Sequence, residues 1–97
     1  MDRPASLSKA FQAHIEGETV RALHFDGSLE SVRTVVDMGV LCDMVPDKAR
    51  ENFYWLAFFG RAGLTMAAPG EVIVVYPDNS CVALHPDTFD EHFETIG

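Results

Sequence analysis

The turn residues in the last third of this chain limit its fold more than any other feature. Three β-prone runs, residues 64–67, 71–76 and 81–84, are separated by Pro69-Gly70 and by Asp78-Asn79-Ser80, both strong turn formers. Gaps that short leave no room for the crossover a parallel pair requires, so the runs read as an antiparallel meander. Upstream, Val20, Ala22 and His24 alternate with Thr19, Arg21, Leu23 and Phe25. That is the pattern of a half-buried strand with Leu23 and Phe25 inward, closed by Asp26-Gly27.

Helical periodicity appears in two places and is weaker in a third. Ser28 is an N-cap candidate, and Leu29, Val32, Val35 and Val36 fall on one face before Met38 and a stopping Gly39, which predicts a helix over 29–39. Its β-branched valines lower intrinsic propensity, so packing has to supply most of its stability. Pro86-Asp87-Thr88 opens a short C-terminal helix, over about 87–94, with Phe89 and Phe93 one turn apart. Leu7, Phe11 and Ile15 recur at i, i+4 and i+8, so residues 6–15 read as an amphipathic segment within an N-terminal helical arm, 1–17, ended by Gly17.

Residues 40–52 lack a period and read as loop. The apolar run 53–59 is compatible with a central strand or with the buried part of a helix starting at Asp47. Its aromatics, and the glycines at 60 and 63, favour the strand.

The expectation is an α+β domain spanning 1–97, with one antiparallel sheet of about four or five strands. One face of that sheet packs on the 29–39 helix and the terminal helix closes an edge. The core is expected to contain Leu23, Phe25, Val32, Val36, Leu56, Phe58, Ile73, Val75, Val82, Phe89 and Phe93. With 47% hydrophobic and 10% aromatic residues, a chain of 97 residues can build one such core without a disulfide or a structural metal.

The longest apolar run is seven residues, too short to span a bilayer, and Met1-Asp2-Arg3-Pro4 does not begin a signal peptide. A cytoplasmic protein without membrane contact is expected. Cys42 and Cys81 form no CxxC and have no histidine at zinc-finger spacing, so they read as free packed thiols.

Charge is distributed unevenly. Residues 62–97 carry Glu71, Asp78, Asp87, Asp90, Glu91 and Glu94 and no Lys or Arg. Phosphate contacts need cations, so direct binding to DNA or RNA is disfavoured. The acidic third is either a solubilising surface or a surface for a partner with a basic face. The partner-binding candidates are Asp87, Asp90, Glu91 and Glu94, together with Tyr54 and Trp55 in the aromatic run.

Chemistry-bearing patterns are sparse. His85 and His92 do not form an HxxxH or HExxH pair, and His14 and His24 have no partner in sequence. A Walker loop, a GxGxxG and a GxSxG elbow are missing as well. No catalytic residue, metal ligand or cofactor is assigned.

Thr65-Met66-Ala67-Ala68-Pro69-Gly70-Glu71-Val72-Ile73, then Asn79, Pro86-Asp87-Thr88-Phe89 and Phe93-Glu94, resemble the end of a family of small phage and prophage proteins. Those close on a Pro-Gly-Asp-Trp-Ile strand, a glycine turn and a Lys-Pro-Asp-Ile-Phe helix start. The strand at 20–25, its Asp26-Gly27 turn and the helix at 29–39 are similar to that family too, which brings the resemblance to roughly two thirds of the chain. Val72 stands where the family has tryptophan, His85 where it has lysine, and residues 40–52 have no counterpart.

The family is defined by pattern rather than by an activity, so no catalytic residue transfers. The resemblance implies a phage-encoded protein of the bacterial host cytoplasm. The expected function is non-enzymatic binding of a host or phage protein, through an acidic face that imitates nucleic acid. The aromatic run and the amphipathic N-terminal segment add the expectation of a homodimer. The rival is a small-ligand sponge or hydrolase at a dimer interface, which would need a deep cavity holding His24 or His85 and a carboxylate.

Overall fold

A computed structural model describes residues 9–96 and shows an α+β fold. In chain order the described elements are β1 (Phe11–Ile15), β2 (Glu18–His24), α1 (Leu29–Asp37), β3 (Cys42–Pro46), β4 (Tyr54–Gly60), β5 (Gly63–Ala67), β6 (Val72–Val75), β7 (Cys81–Leu84), α2 (Pro86–His92) and β8 (Glu94–Thr95). They form a five-stranded sheet, ordered β7-β6-β2-β1-β8, and a three-stranded sheet, β3-β4-β5, with every pair antiparallel.

The N-terminal segment departs from expectation. Leu7 lies outside the described residues, but 11–15 is a strand and not a helix. A spacing of four is one helical turn and also an even number, so Phe11 and Ile15 share a face in either structure. The turn decides it: Glu16 and Gly17, at φ 49° and 84°, form the left-handed pair that tight hairpins use, and β1 folds back on β2 with Ile15 opposite Glu18.

Residues 42–46, expected as loop, are strand β3. They pair along β4, with Pro46 at the strand end where a missing N–H is tolerated. The aromatic run 53–59 is strand from Tyr54 onward, as its composition favoured.

The three C-terminal runs are strands but not one meander. β6 pairs with β2 and β7, while β5 stays with β4. Gly70 N–H donates to Phe25 O at 2.7 Å and Phe25 N–H donates to Glu71 O at 2.9 Å. The Pro69-Gly70 turn thus binds to the end of β2 and carries the chain from one sheet to the other.

This switch gives the five-stranded sheet two covered faces. All four residues of β6 are buried, and in β2 Val20 and Ala22 are buried on one face and Leu23 on the other, while Glu18, Thr19, Arg21 and His24 stay exposed. On one face Leu23, Phe25, Ile73 and Val75 pack with Val32 and Val35 of α1, with Met38 at its C-cap, and with Leu56, Phe58 and Ala67 of the smaller sheet. On the other, Ala13, Val20, Ala22, Val72 and Val74 pack with Phe89 and Phe93. Helix α2 therefore covers a face, and β8 forms the edge. Nearly all expected core residues are buried or half-buried. The exception is Val36, which is 54% exposed because Val32, Val35 and Met38 form the stripe that meets the sheet.

Candidate functional site

Strand alternation in the three-stranded sheet sorts the aromatic run onto two surfaces. Leu56 and Phe58 are buried in the core, with Tyr54 packed half-buried against it, so Trp55, Ala57 and Phe59 face outward. The register extends this outer face across the sheet: Val45 is opposite Trp55, Asp43 and Met66 are opposite Ala57, and Leu64 is opposite Phe59.

The outer face is apolar and open. Leu41, Phe59 and Leu64 are 92%, 80% and 71% exposed, and Val45 and Met66 are exposed too. Singly exposed apolar residues are normal on a protein surface, but a contiguous group on one sheet face is a docking signature. The face has relief as well. A hollow of about 350 Å³ lies at one end, lined by Val45, Pro46, Asp47, Lys48, Ala49, Trp55 and Met66. Towards the other end Phe59 stands between a hollow of about 390 Å³, shared with Leu41, Asp43, Ala57 and Leu64, and one of about 330 Å³, shared with Leu41, Val40 and Cys81. None of these three hollows has a histidine in its lining.

The segment that carries this surface is also the electrically neutral part of the chain. Residues 40–67 hold three carboxylates, Asp43, Asp47 and Glu51, and three cations, Lys48, Arg50 and Arg61, so the formal charge of −8 belongs to the remainder. Arg50 stacks on Phe53 and Arg61 on Tyr76, each 3.6 Å from the ring centroid. Arg61 also donates to Ser80 Oγ at 2.7 Å.

The acidic candidates lie elsewhere. Asp87, Asp90 and Glu91 are exposed on α2, on the far side of the five-stranded sheet from the smaller sheet. Glu94 belongs to β8 and not to the helix. It sits opposite His14, and because Phe93 points into the core beneath α2, Glu94 points to the other face of that edge. Three of the four carboxylates are thus brought together, and they are far from Trp55. Tyr54 and Trp55, adjacent in sequence, are on opposite faces.

Sequence reasoning missed Leu41, Val45, Phe59, Leu64 and Met66. The signal was an apolar residue at every position of 53–59, which marks a strand apolar on both faces and leaves open which face is covered.

The surroundings of both thiols disfavour the thiolate form. Both cysteines are free, and burial pushes each thiol above its ordinary pKa, assisted at Cys42 by the charges of Asp43 and Cys81. Among the described residues, no group of three or more His, Cys, Asp or Glu could hold a metal ion. Likewise, no described helix is long and apolar enough to cross a membrane.

Compared with known protein families, curated proteins and solved structures, the chain matches none.

Proposed function

We propose that this chain is a small non-enzymatic binding protein that docks another polypeptide on the outer face of its three-stranded sheet. The observation that carries this reading is the exposure of Leu41, Phe59 and Leu64 together on one face, in a segment whose formal charges cancel. Leaving that much apolar surface in water costs roughly 25 cal/mol per Å², and a partner removes the cost. The hydrolase or ligand-sponge alternative draws less support, because the hollows on this face are open and lack a histidine beside Asp43 or Asp47. The resemblance to small phage proteins supplies the setting, a bacterial host cytoplasm, and a host or phage protein as partner.

A second reading has its own observation. Asp87, Asp90 and Glu91 are exposed on α2, on the opposite side from the apolar face, so a basic partner could be held there at the same time. Salt separates the two surfaces. In a tagged pull-down from bacterial lysate, proteins docked on the apolar face should stay bound at about 1 M salt, where the Debye length is about 3 Å, and proteins attracted to α2 should elute. Phe59→Ser with Leu64→Ser should abolish the salt-resistant set and leave the melting temperature near wild type, because both side chains are exposed. If every retained protein elutes with salt, none responds to the double variant, and the chain does not associate with itself through this face, the apolar face is not the docking surface.

A further inference from the structure

We propose that the occupant of this face is a second copy of the same chain, with the Phe59 end of each copy seated against the Val45–Trp55–Met66 hollow of the other. The proposal rests on the docking reading above and names its partner.

Charge is the first argument. Two copies of formal charge −8 repel through most of their surfaces. They approach at least cost through the segment 40–67, whose charges cancel. A foreign basic protein is steered instead towards α2, where the acidic side chains are.

Shape is the second. The protrusion and the hollow occur on the same face, at opposite ends of β4. Phe59 and Trp55 are four residues apart, about 13 Å at the usual strand rise. A two-fold axis lying across the strands, along the Asp43–Ala57–Met66 row, exchanges the two ends. It brings each Phe59 over the partner's Trp55 and each Leu41 over the partner's Val45. An isologous contact needs this kind of self-complementary patch. Asp47 and Lys48 border the hollow and provide a polar rim around an apolar centre.

The same axis has an unfavourable consequence that makes the proposal specific. Asp43 lies on the axis row and is exposed, so the two Asp43 carboxylates face each other across the interface. Like charges in that position weaken association. A non-specific apolar contact would not carry this signature.

The test is sedimentation velocity or light scattering on the full chain across the accessible concentration range. The wild type should be a dimer or a concentration-dependent mixture. Phe59→Asp should raise the dissociation constant by about tenfold or more, as loss of a central aromatic anchor does. Asp43→Asn should lower it severalfold, and Glu91→Gln on α2 should leave it unchanged. If Phe59→Asp fails to fold, Leu64→Ser at the same end of the face gives the same readout.

A wild type that stays monomeric throughout overturns the second copy. If that monomer also retains a salt-resistant lysate protein that Phe59→Ser with Leu64→Ser releases, the docking reading survives with another occupant. A dimer indifferent to Phe59→Asp and Asp43→Asn overturns this interface.

Discussion

At Gly60 the end of β4 is pressed against β7 so closely that a side chain has no room. A Cβ there would lie 2.6 Å from the Cys81 carbonyl oxygen and 3.1 Å from Thr65 Oγ1. The Cys81 oxygen is backbone and already accepts from Arg61 N–H at 2.9 Å, so it cannot swing aside. Gly60→Ala should therefore lever the smaller sheet away from β7 and cost about 1–3 kcal/mol, measured as a fall in the urea midpoint. An unchanged midpoint would mean that the two sheets are loosely joined at this point. Gly27 is confined in a similar way, with φ at +86° and the Pro69 ring 2.7 Å from a would-be Cβ, so the link between β2 and α1 also depends on one missing methyl group.

Among the elements, α1 begins on a small polar cluster that ties its stability to pH. Ser28 Oγ accepts from Ser31 N–H at 3.2 Å, and Asp26 Oδ1 accepts from Ser28 N–H at 2.9 Å. Burial acts to raise the Asp26 carboxyl, but hydrogen bonds from Ser28 and Ser31 outweigh it and leave the group below its ordinary range. A carboxyl depressed in the folded state adds stability above its unfolded pKa and loses it as pH falls through the folded value. Ser28→Ala should cost about 1 kcal/mol at neutral pH, a drop of about 4–8 °C in Tm for a domain of this size, and the gap to wild type should narrow on acidification. A gap that is constant with pH would separate the cap from Asp26. The Ser28 cap was legible in sequence because a serine before a 3.6-residue period has one strong meaning. The aromatic strand and the 81–84 strand were legible from β-prone residues between turns. β1 was misread because Phe11 and Ile15 satisfy both periods, and β3 was missed because Asp43 and Pro46 disguise an edge strand. At the candidate site Trp55 was visible as an aromatic. The face it shares with Phe59 and Leu64 was not, because one residue of register exchanges inside and outside, and only the stacking of the two sheets decides between them.

For the molecule as a whole, the five-stranded sheet separates two different surfaces, with three exposed carboxylates on α2 behind it and the apolar face of the smaller sheet in front. Either surface can change without disturbing the other, since sites that distant and without shared partners act additively. The two sheets also differ in how the chain supplies them. The smaller one is continuous, 42–67, whereas the larger joins β2 to β6 from opposite halves of the sequence, as in the pairing of Ala22 with Val74. Closing a long loop is entropically costly and slow, and a loop already folded into two hairpins is shorter in effect. The order of events in folding follows from this: β3-β4-β5 forms early and brings the ends of its own segment together, β6 then zips onto β2, and the two-residue β8 attaches last. In stopped-flow experiments Thr65→Gly in β5 should slow refolding, while Thr95→Gly in β8 should leave refolding unchanged and hasten unfolding. The opposite assignment would place the nucleus at the chain ends. With that order, the exposed apolar face is among the first parts of the chain to take shape, and it is open to water while the rest is still incomplete.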